Sequence, residues 1–112
     1  MTLAVYTSGS QTATVTTEHG LASISAANVY CLAVDTANMT GGSTPDILEL
    51  REYGKARSSD TERLLKTYTI VGAQTETLFE TTPRVSPHYT RYTLKQTQGT
   101  GRAFPWAVYQ VQ

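Results

Sequence analysis

The sequence predicts an all-β fold, an antiparallel β-sandwich of jelly-roll-like or Greek-key type with about seven to nine short strands. Three observations support this fold class. Residues 89–97 alternate polar and apolar side chains, which is the pattern of a strand with one solvent-exposed face. Turn-forming glycines and prolines recur at short intervals, and the composition is rich in threonine, which favours strands. At 112 residues the chain is predicted to form one domain, residues 1–112.

The strand candidates are runs of apolar or β-branched residues that are separated by turn residues. The first three follow one another closely, with turns predicted at the Ser-Gly-Ser of residues 8–10 and the His-Gly of residues 19–20. In order, the candidates are residues 3–7, 12–17, 21–25, 29–35, 46–53, 62–71, 89–97 and 102–111, with a weaker one at 77–80.

The middle strands are predicted from their apolar content. Residues 29–34 and 47–53 have apolar side chains at both odd and even positions, which predicts strands covered on both faces or shared with an interface. Residues 62–71 begin with good helix formers, so a helix is the alternative there. The β-branched run at residues 67–71 favours a strand.

The last two strands, residues 89–97 and 102–111, are predicted to pair as a hairpin. Gly99 and Gly101 between them permit the positive φ of a tight turn. Pro105 lacks a backbone N–H and therefore predicts a sheet edge or a bulge. The residues expected in the core are Cys31, Leu48, Leu50, Leu94, Trp106 and Val108.

Charge and cysteine content narrow the function classes. Nine basic and nine acidic residues balance and are scattered, whereas nucleic-acid-binding proteins usually have a basic stripe. The single cysteine, Cys31, excludes an intrachain disulfide. The N-terminus has neither a basic region nor a long apolar stretch, so we expect no secretion signal and no membrane span. We therefore expect neither nucleic acid nor membrane as a partner.

The sequence contains none of the common catalytic or cofactor motifs. His19 and His88 lie at predicted strand ends, where an exposed or capping role is ordinary. A triad of Ser86, His88 and Asp46 is conceivable, but the residues follow no recognisable motif. Asp35 and Asp46 bracket a glycine-rich loop without the spacing of an EF-hand. We therefore predict no catalytic residue, no cofactor, no metal site and no small-molecule substrate.

Two segments resemble a known family. They are Ser-Pro-His-Tyr-Thr-Arg-Tyr-Thr-Leu-Lys-Gln-Thr-Gln-Gly-Thr-Gly-Arg-Ala-Phe-Pro-Trp at residues 86–106 and Thr-Pro-Asp-Ile-Leu-Glu-Leu-Arg-Glu-Tyr at residues 44–53. The resemblance is to the small capsid decoration proteins, also called cement or staple proteins, of epsilon-fifteen-like short-tailed bacteriophages. Those proteins are single jelly-roll-like β-sandwiches, usually paired across the two-fold positions of the capsid.

The resemblance implies a structural virion protein without enzymatic activity, which is assembled in the host cytoplasm and lies on the outer surface of the capsid. Its partners would be the major capsid protein and a second copy of the chain, in a homodimer. Two alternatives stay open. One is a phage tail or connector component, and the other is a small carbohydrate-binding β-sandwich that uses Trp106 or tyrosines for stacking.

In the capsid interpretation, termini and loops are expected to make the contacts, because a sandwich can spare them from its core. The segments concerned are residues 1–6, 53–59 and 81–89, with basic side chains facing acidic capsid loops. The candidate contact residues are Leu3, Val5, Tyr6, Arg51, Lys55, Arg57, Arg84, Val85, His88, Tyr89 and Arg91.

Overall fold

A computed structural model describes residues 2–112, which form two antiparallel β-sheets packed face to face. Met1, part of one predicted contact segment, lies outside the described residues. The strands are β1 (Leu3–Thr12), β2 (Glu18–Ile24), β3 (Asn28–Asp35), β4 (Ile47–Gly54), β5 (Arg63–Val71), β6 (Leu78–Glu80), β7 (Arg84–Ser86), β8 (Thr90–Gln98) and β9 (Ala103–Val111). The described part of the chain has no helix with the length and apolar character to cross a membrane.

The strand order confirms the predicted antiparallel sandwich and follows that of a jelly roll. The five-stranded sheet has the order β1-β9-β3-β6, with β7 also paired to β3, and the four-stranded sheet has the order β2-β8-β4-β5. The strands pair from the two ends of the chain toward its middle, because β1 pairs with β9, β2 with β8 and β4 with β5. Residues 62–71, for which a helix is the alternative, contain strand β5, so the helix alternative is wrong. The three-residue strand β7 was not predicted.

The core lies between the sheets and follows the two-residue period of the strands. In β4, every second side chain is buried and the others are only half-buried. Strand β3 has the same alternation except at Ala33, which is also buried. Neither strand is therefore covered on both faces within the described part of the chain, and an interface over the outer face stays a prediction. Four residues expected in the core are confirmed as buried: Leu48, Leu50, Leu94 and Val108.

The other two residues expected in the core, Cys31 and Trp106, are only half-buried, so that prediction is wrong for both. Cys31 alternates with the buried Tyr30 and Leu32, and its side chain therefore lies on the outer face of the sheet. Trp106 packs against the core opposite Gly9 of the edge strand β1. A Cβ at Gly9 would lie 3.3 Å from the indole ring, so glycine makes room for it.

Near the N-terminus the predicted turns are wrong. Residues 8–10 lie inside β1, and residues 19–20 lie inside β2. The ladder with β9 carries β1 through Gly9 as one strand, with a register shift between Val5 and Thr7. The predicted strand at residues 12–17 is instead mostly the connection to β2, where Thr16 has a φ of 71°.

Pro105 lies at a local sheet edge, as predicted, because β9 pairs only with β1 at this position within the described residues. It lies in β9, which has β1 on one side and β3 on the other. The ladder between β9 and β3 ends at Trp106, one residue after the proline. The missing N–H of Pro105 therefore costs no hydrogen bond to β3.

The connection between β8 and β9 is not the predicted hairpin, because the two strands belong to different sheets. Residues 99–101, here called the corner, carry the chain from one sheet to the other, and Gly99 has the expected positive φ, 95°. Side chains replace the hydrogen bonds that a hairpin ladder would supply. Gln96 Nε2 donates to the carbonyl oxygens of Gln98 at 3.0 Å and Thr100 at 2.7 Å, while its Oε1 accepts from the backbone N–H of Arg102.

Asp46 fixes the corner from the other side. Its side chain is 1% exposed and accepts hydrogen bonds from the backbone N–H groups of Thr40 at 2.8 Å and Thr100 at 3.1 Å. Arg102 Nε lies 2.9 Å from Asp46 Oδ2 in an ion pair. Burial alone would raise the pKa of Asp46, but these hydrogen bonds outweigh it and lower the pKa. Asp46 thus joins the loop between β3 and β4 to the corner.

Candidate functional site

The outer face of the five-stranded sheet is unusually poor in charge. Its three long strands, β1, β3 and β9, carry one formally charged residue, Asp35. None of the nine Lys and Arg residues lies on these strands. Arg84 of β7 is directed away from this face, because its Nε donates to Thr90 Oγ1 of β8 in the opposite sheet at 3.0 Å.

Apolar side chains from four neighbouring strands meet on this outer face. Leu3 is 64% exposed, Val5 is 52% exposed and Val85 is 74% exposed. The sheet register makes them neighbours of half-buried apolar residues, because Leu3 pairs with Val111, Val5 with Tyr109 and Val85 with Val29. We call this surface the apolar face and define it as Leu3, Val5, Val29, Cys31, Val85, Tyr109 and Val111.

A groove of about 640 Å³ runs across the apolar face. Cys31 and Tyr109, which are register partners, line it together with Pro83, and Glu80 is the one charged residue along it. Burial raises the pKa of the Cys31 thiol, and the thiol donates to the carbonyl oxygen of Thr81 at 3.1 Å. The protonated thiol is therefore part of an apolar surface and is not an activated nucleophile.

A second groove, of about 380 Å³, continues the apolar face along the same sheet. Leu78, Pro105 and Ala107 line it, and Tyr109 is common to both grooves. Asp35 is its only formally charged lining residue. The two grooves together thus extend the surface of low charge beyond the seven residues of the apolar face.

The outer face of the four-stranded sheet has the opposite character. Arg51 lies 3.1 Å from Glu18 and 2.8 Å from Glu49, so two carboxylates share one guanidinium. Tyr53 and Thr93 donate hydroxyl hydrogen bonds to Glu18. Burial alone would raise the pKa of Glu18, but these hydrogen bonds and the charge of Arg51 outweigh it and lower the pKa. The charges of Arg51, Glu18 and Glu49 on this face thus compensate one another within the chain.

A second polar cluster lies at one end of the same sheet. Arg91 binds Glu62 through two nitrogens at 2.9 Å and 2.6 Å, and the hydrogen bond from Arg91 lowers the pKa of Glu62. Tyr89 donates to the same carboxylate at 2.6 Å. The Lys55 ammonium lies 4.3 Å from the centre of the Tyr89 ring, and His88 Nε2 lies 3.0 Å from the Lys55 carbonyl oxygen.

The structure divides the predicted contact residues into two groups. Leu3, Val5 and Val85 lie together on the apolar face, and Tyr6 is 41% exposed on β1 beside them. The basic residues and their neighbours make polar contacts within the chain, most of them in the four-stranded sheet and its loops, whereas Arg84 reaches β8 from β7 of the other sheet. That second group comprises Arg51, Lys55, Arg57 (which pairs with Asp60), Arg84, His88, Tyr89 and Arg91.

The residues considered for catalysis or metal binding do not form a site. Asp46 is bound to the corner, Ser86 is 1% exposed, and His88 contacts a backbone carbonyl. His19 Nε2 accepts a hydrogen bond from the N–H of Thr14. Among residues 2–112 no group of three His, Cys, Asp or Glu side chains could hold a metal ion.

The apolar face as a whole was not recognised from the sequence, although a signal for it exists. The strands β1, β3 and β9 nearly lack charge, whereas β4 and β8 carry it at alternate outward positions. Charge-free strands of this kind indicate either a doubly covered strand or an outer face that a partner covers. Comparison of the chain with protein-family models, curated proteins and solved structures finds no match.

Proposed function

We propose that this chain is a structural virion protein that binds the outside of a phage capsid and staples neighbouring major capsid subunits. The observation that carries the proposal is the apolar face. Monomeric proteins rarely expose apolar patches of more than a few hundred Å², and larger ones mark surfaces that bind a partner. Leu3, Val5 and Val85 are each more than half exposed within one continuous patch.

The jelly-roll fold supports the proposal in a general way. Such double sheets occur in viral capsid proteins, and they also occur in lectins and cupins, so the fold does not select a function. The carbohydrate-binding alternative needs an exposed aromatic platform. Trp106 packs against the core beside Gly9, and its half-buried ring lines the second groove, so the protein-binding alternative is favoured by the apolar face and not by the tryptophan.

In this proposal the capsid subunit covers the apolar face and removes it from water. Full burial of a valine or leucine side chain contributes about 1.5–3 kcal/mol, so the remaining exposed part of Val85 is worth about 1.5 kcal/mol. Because β1, β3 and β9 contain no Lys or Arg, attachment through this face should depend little on salt. The compensated charges of Arg51 and Arg91 favour this apolar attachment over contacts with acidic capsid loops.

Co-sedimentation with shells of the cognate major capsid protein that lack this chain tests the proposal. We expect saturable binding and shells that resist heat better. Val85→Ser should weaken binding about tenfold, which corresponds to about 1.4 kcal/mol, without a change in unfolding temperature. Ala73→Ser, an exposed control substitution away from the apolar face, should bind like the parent.

Two results would overturn the proposal. The first is an absence of binding at micromolar concentration. The second is a free dimer that Val85→Ser dissociates while shell binding stays unchanged, because a second copy would then cover the apolar face. Analytical ultracentrifugation of the parent and of the Val85→Ser variant distinguishes this case from attachment to the shell.

A further inference from the structure

Strand β5 has a free hydrogen-bonding edge. It is the outermost strand of the four-stranded sheet and pairs only with β4 within the described residues. In an antiparallel ladder, alternate residues direct their N–H and C=O groups to one neighbour, and the others point to the opposite side. About half of the backbone groups of β5 therefore have no strand partner in residues 2–112.

The other sheet edges are very short or carry a register shift, and β5 shares the second of these features at its N-terminal end. Natural proteins protect edges with very short strands or with bulges. On the five-stranded sheet, β6 and β7 have three residues each, and β1 has a register shift between Val5 and Thr7. On the four-stranded sheet, β2 has a register shift at Gly20. In β5 the register shift of the ladder with β4 lies at Leu65. Residues 66–71 pair with β4 without interruption and form a regular edge on their other side.

Most side chains of β5 are also exposed, except that Tyr68 is half-buried and Ile70 is buried. Leu64 is 50% exposed, Leu65 is 51% exposed and Val71 is 52% exposed, although β5 belongs to the more polar of the two sheets. Leu64 and Leu65 lie at the register shift, and Val71 lies at the end of the regular run. Exposed apolar residues beside an unpaired edge are a feature that binds an extended peptide by strand addition.

Charge indicates which peptide fits. Arg63 and Lys66 are exposed at the N-terminal half of β5, and neither lies within 4.0 Å of a carboxylate in the described part of the chain. Glu62 is the adjacent acid, and it is already bound to Arg91. Lys66 Nζ lies 4.6 Å from the centre of the Tyr68 ring, which holds the ammonium beside the edge.

We propose that β5 binds an extended acidic segment of a partner protein as an added antiparallel strand. The C-terminal half of the segment lies opposite Arg63 and Lys66 and carries the acidic residues. The N-terminal half lies opposite Val71 and carries β-branched residues. The inference goes beyond the proposed function, because β5 and the apolar face are on different sheets and bind independently. A capsid staple that uses both surfaces would hold two subunits at once.

The experiment uses the full chain and a synthetic ten-residue peptide of alternating valine and threonine, with two aspartates near its C-terminus. A second peptide has lysines in place of the aspartates. Amide hydrogen exchange reports the binding site. We expect the acidic peptide to slow exchange of those β5 amides that exchange rapidly in the free protein, with little change in the five-stranded sheet.

Charge-reversal variants test the role of the cations. Lys66→Glu should weaken binding of the acidic peptide about fivefold or more, and the loss should shrink at high salt. Lys95→Glu is the matched control, because it makes the same charge change on β8 in the same sheet, away from the edge. It should bind the acidic peptide like the parent.

Three outcomes would overturn the inference. One is an absence of β5 protection at millimolar peptide, and another is equal binding of the lysine peptide. The third is protection of β5 that rises with protein concentration in the absence of peptide, because a second copy would then occupy the edge. None of these outcomes affects shell binding through the apolar face, so the two proposals fail separately.

Discussion

Replacement of Asp46 by asparagine should destabilise the domain by about 3 kcal/mol. The carboxylate is 1% exposed and accepts hydrogen bonds from Thr40, Thr100 and Arg102. Breaking a buried ion pair by removal of one partner costs about 3–5 kcal/mol. Arg102 is 29% exposed, and water can partly solvate its freed charge, which places the expected cost at the lower end of that range.

The pH dependence of this loss has a defined sign. The pKa of Asp46 is lower in the folded protein than in the unfolded chain, where it is about 3.9. The stabilisation by the carboxylate is therefore complete above the unfolded pKa and disappears as the pH falls through the folded pKa. The difference in unfolding free energy between the parent and Asp46→Asn should be largest near pH 7 and should shrink below about pH 4.

Urea unfolding at several pH values, followed by Trp106 fluorescence, measures this difference. Asp35→Asn is the matched control, because Asp35 is a more exposed aspartate whose Oδ1 accepts from the N–H of Ala37. It should change the unfolding free energy by less than about 0.5 kcal/mol. If Asp46→Asn unfolded like Asp35→Asn, or if its deficit persisted unchanged at pH 3, the corner would not depend on the buried carboxylate.

Two further predictions concern the core. Glu52 is 5% exposed, its Oε1 has no hydrogen-bond partner among residues 2–112, and burial raises its pKa. An acid with a raised pKa contributes stability that is present below its unfolded pKa of about 4.3 and is lost as the pH rises through its folded value. In urea unfolding, Glu52→Gln should therefore be more stable than the parent at pH 8 and should show no gain in stability at pH 4. If the variant were less stable than the parent at pH 8, Arg84 and Lys66 would compensate the charge of Glu52. Trp106→Ala should lower the free energy of unfolding by about 2–3 kcal/mol, which is less than the 3–5 kcal/mol lost on removal of a fully buried aromatic side chain. An unchanged midpoint in chemical denaturation would mean that the indole does not pack on the core.

Local patterns in the sequence were sufficient to place most strands and much of the core. The alternation around Leu94 and the apolar positions Leu48 and Leu50 report burial, because the two-residue period is a property of the strand itself. The pairing partner of a strand is not a local property. Strands β8 and β9 look like a hairpin in sequence, but Gln96 and Asp46 satisfy the backbone groups of the corner in place of a ladder.

The candidate surfaces likewise depend on contacts between residues that are distant in sequence. Val85 was predicted as a contact residue, but its place beside Val29 depends on the pairing of β7 with β3. Arg51 and Arg91 were expected to be available to a partner. Glu49, one carboxylate partner of Arg51, is two residues away along the chain. The other partner of Arg51, Glu18, and the partner of Arg91, Glu62, are 33 and 29 residues away, so only the folded structure reveals these two ion pairs.

Because charge and apolar surface lie on opposite sides of the sandwich, the molecule resembles an amphiphilic colloidal particle with one polar side and one apolar side. One broad side carries ion pairs and the other carries Leu3, Val5 and Val85, although the net charge is zero. At an air–water boundary such a particle adsorbs with its apolar side toward the air. In the thin films used for electron cryomicroscopy, the isolated domain should therefore lie in one preferred orientation. A mild detergent that occupies the boundary should restore random views.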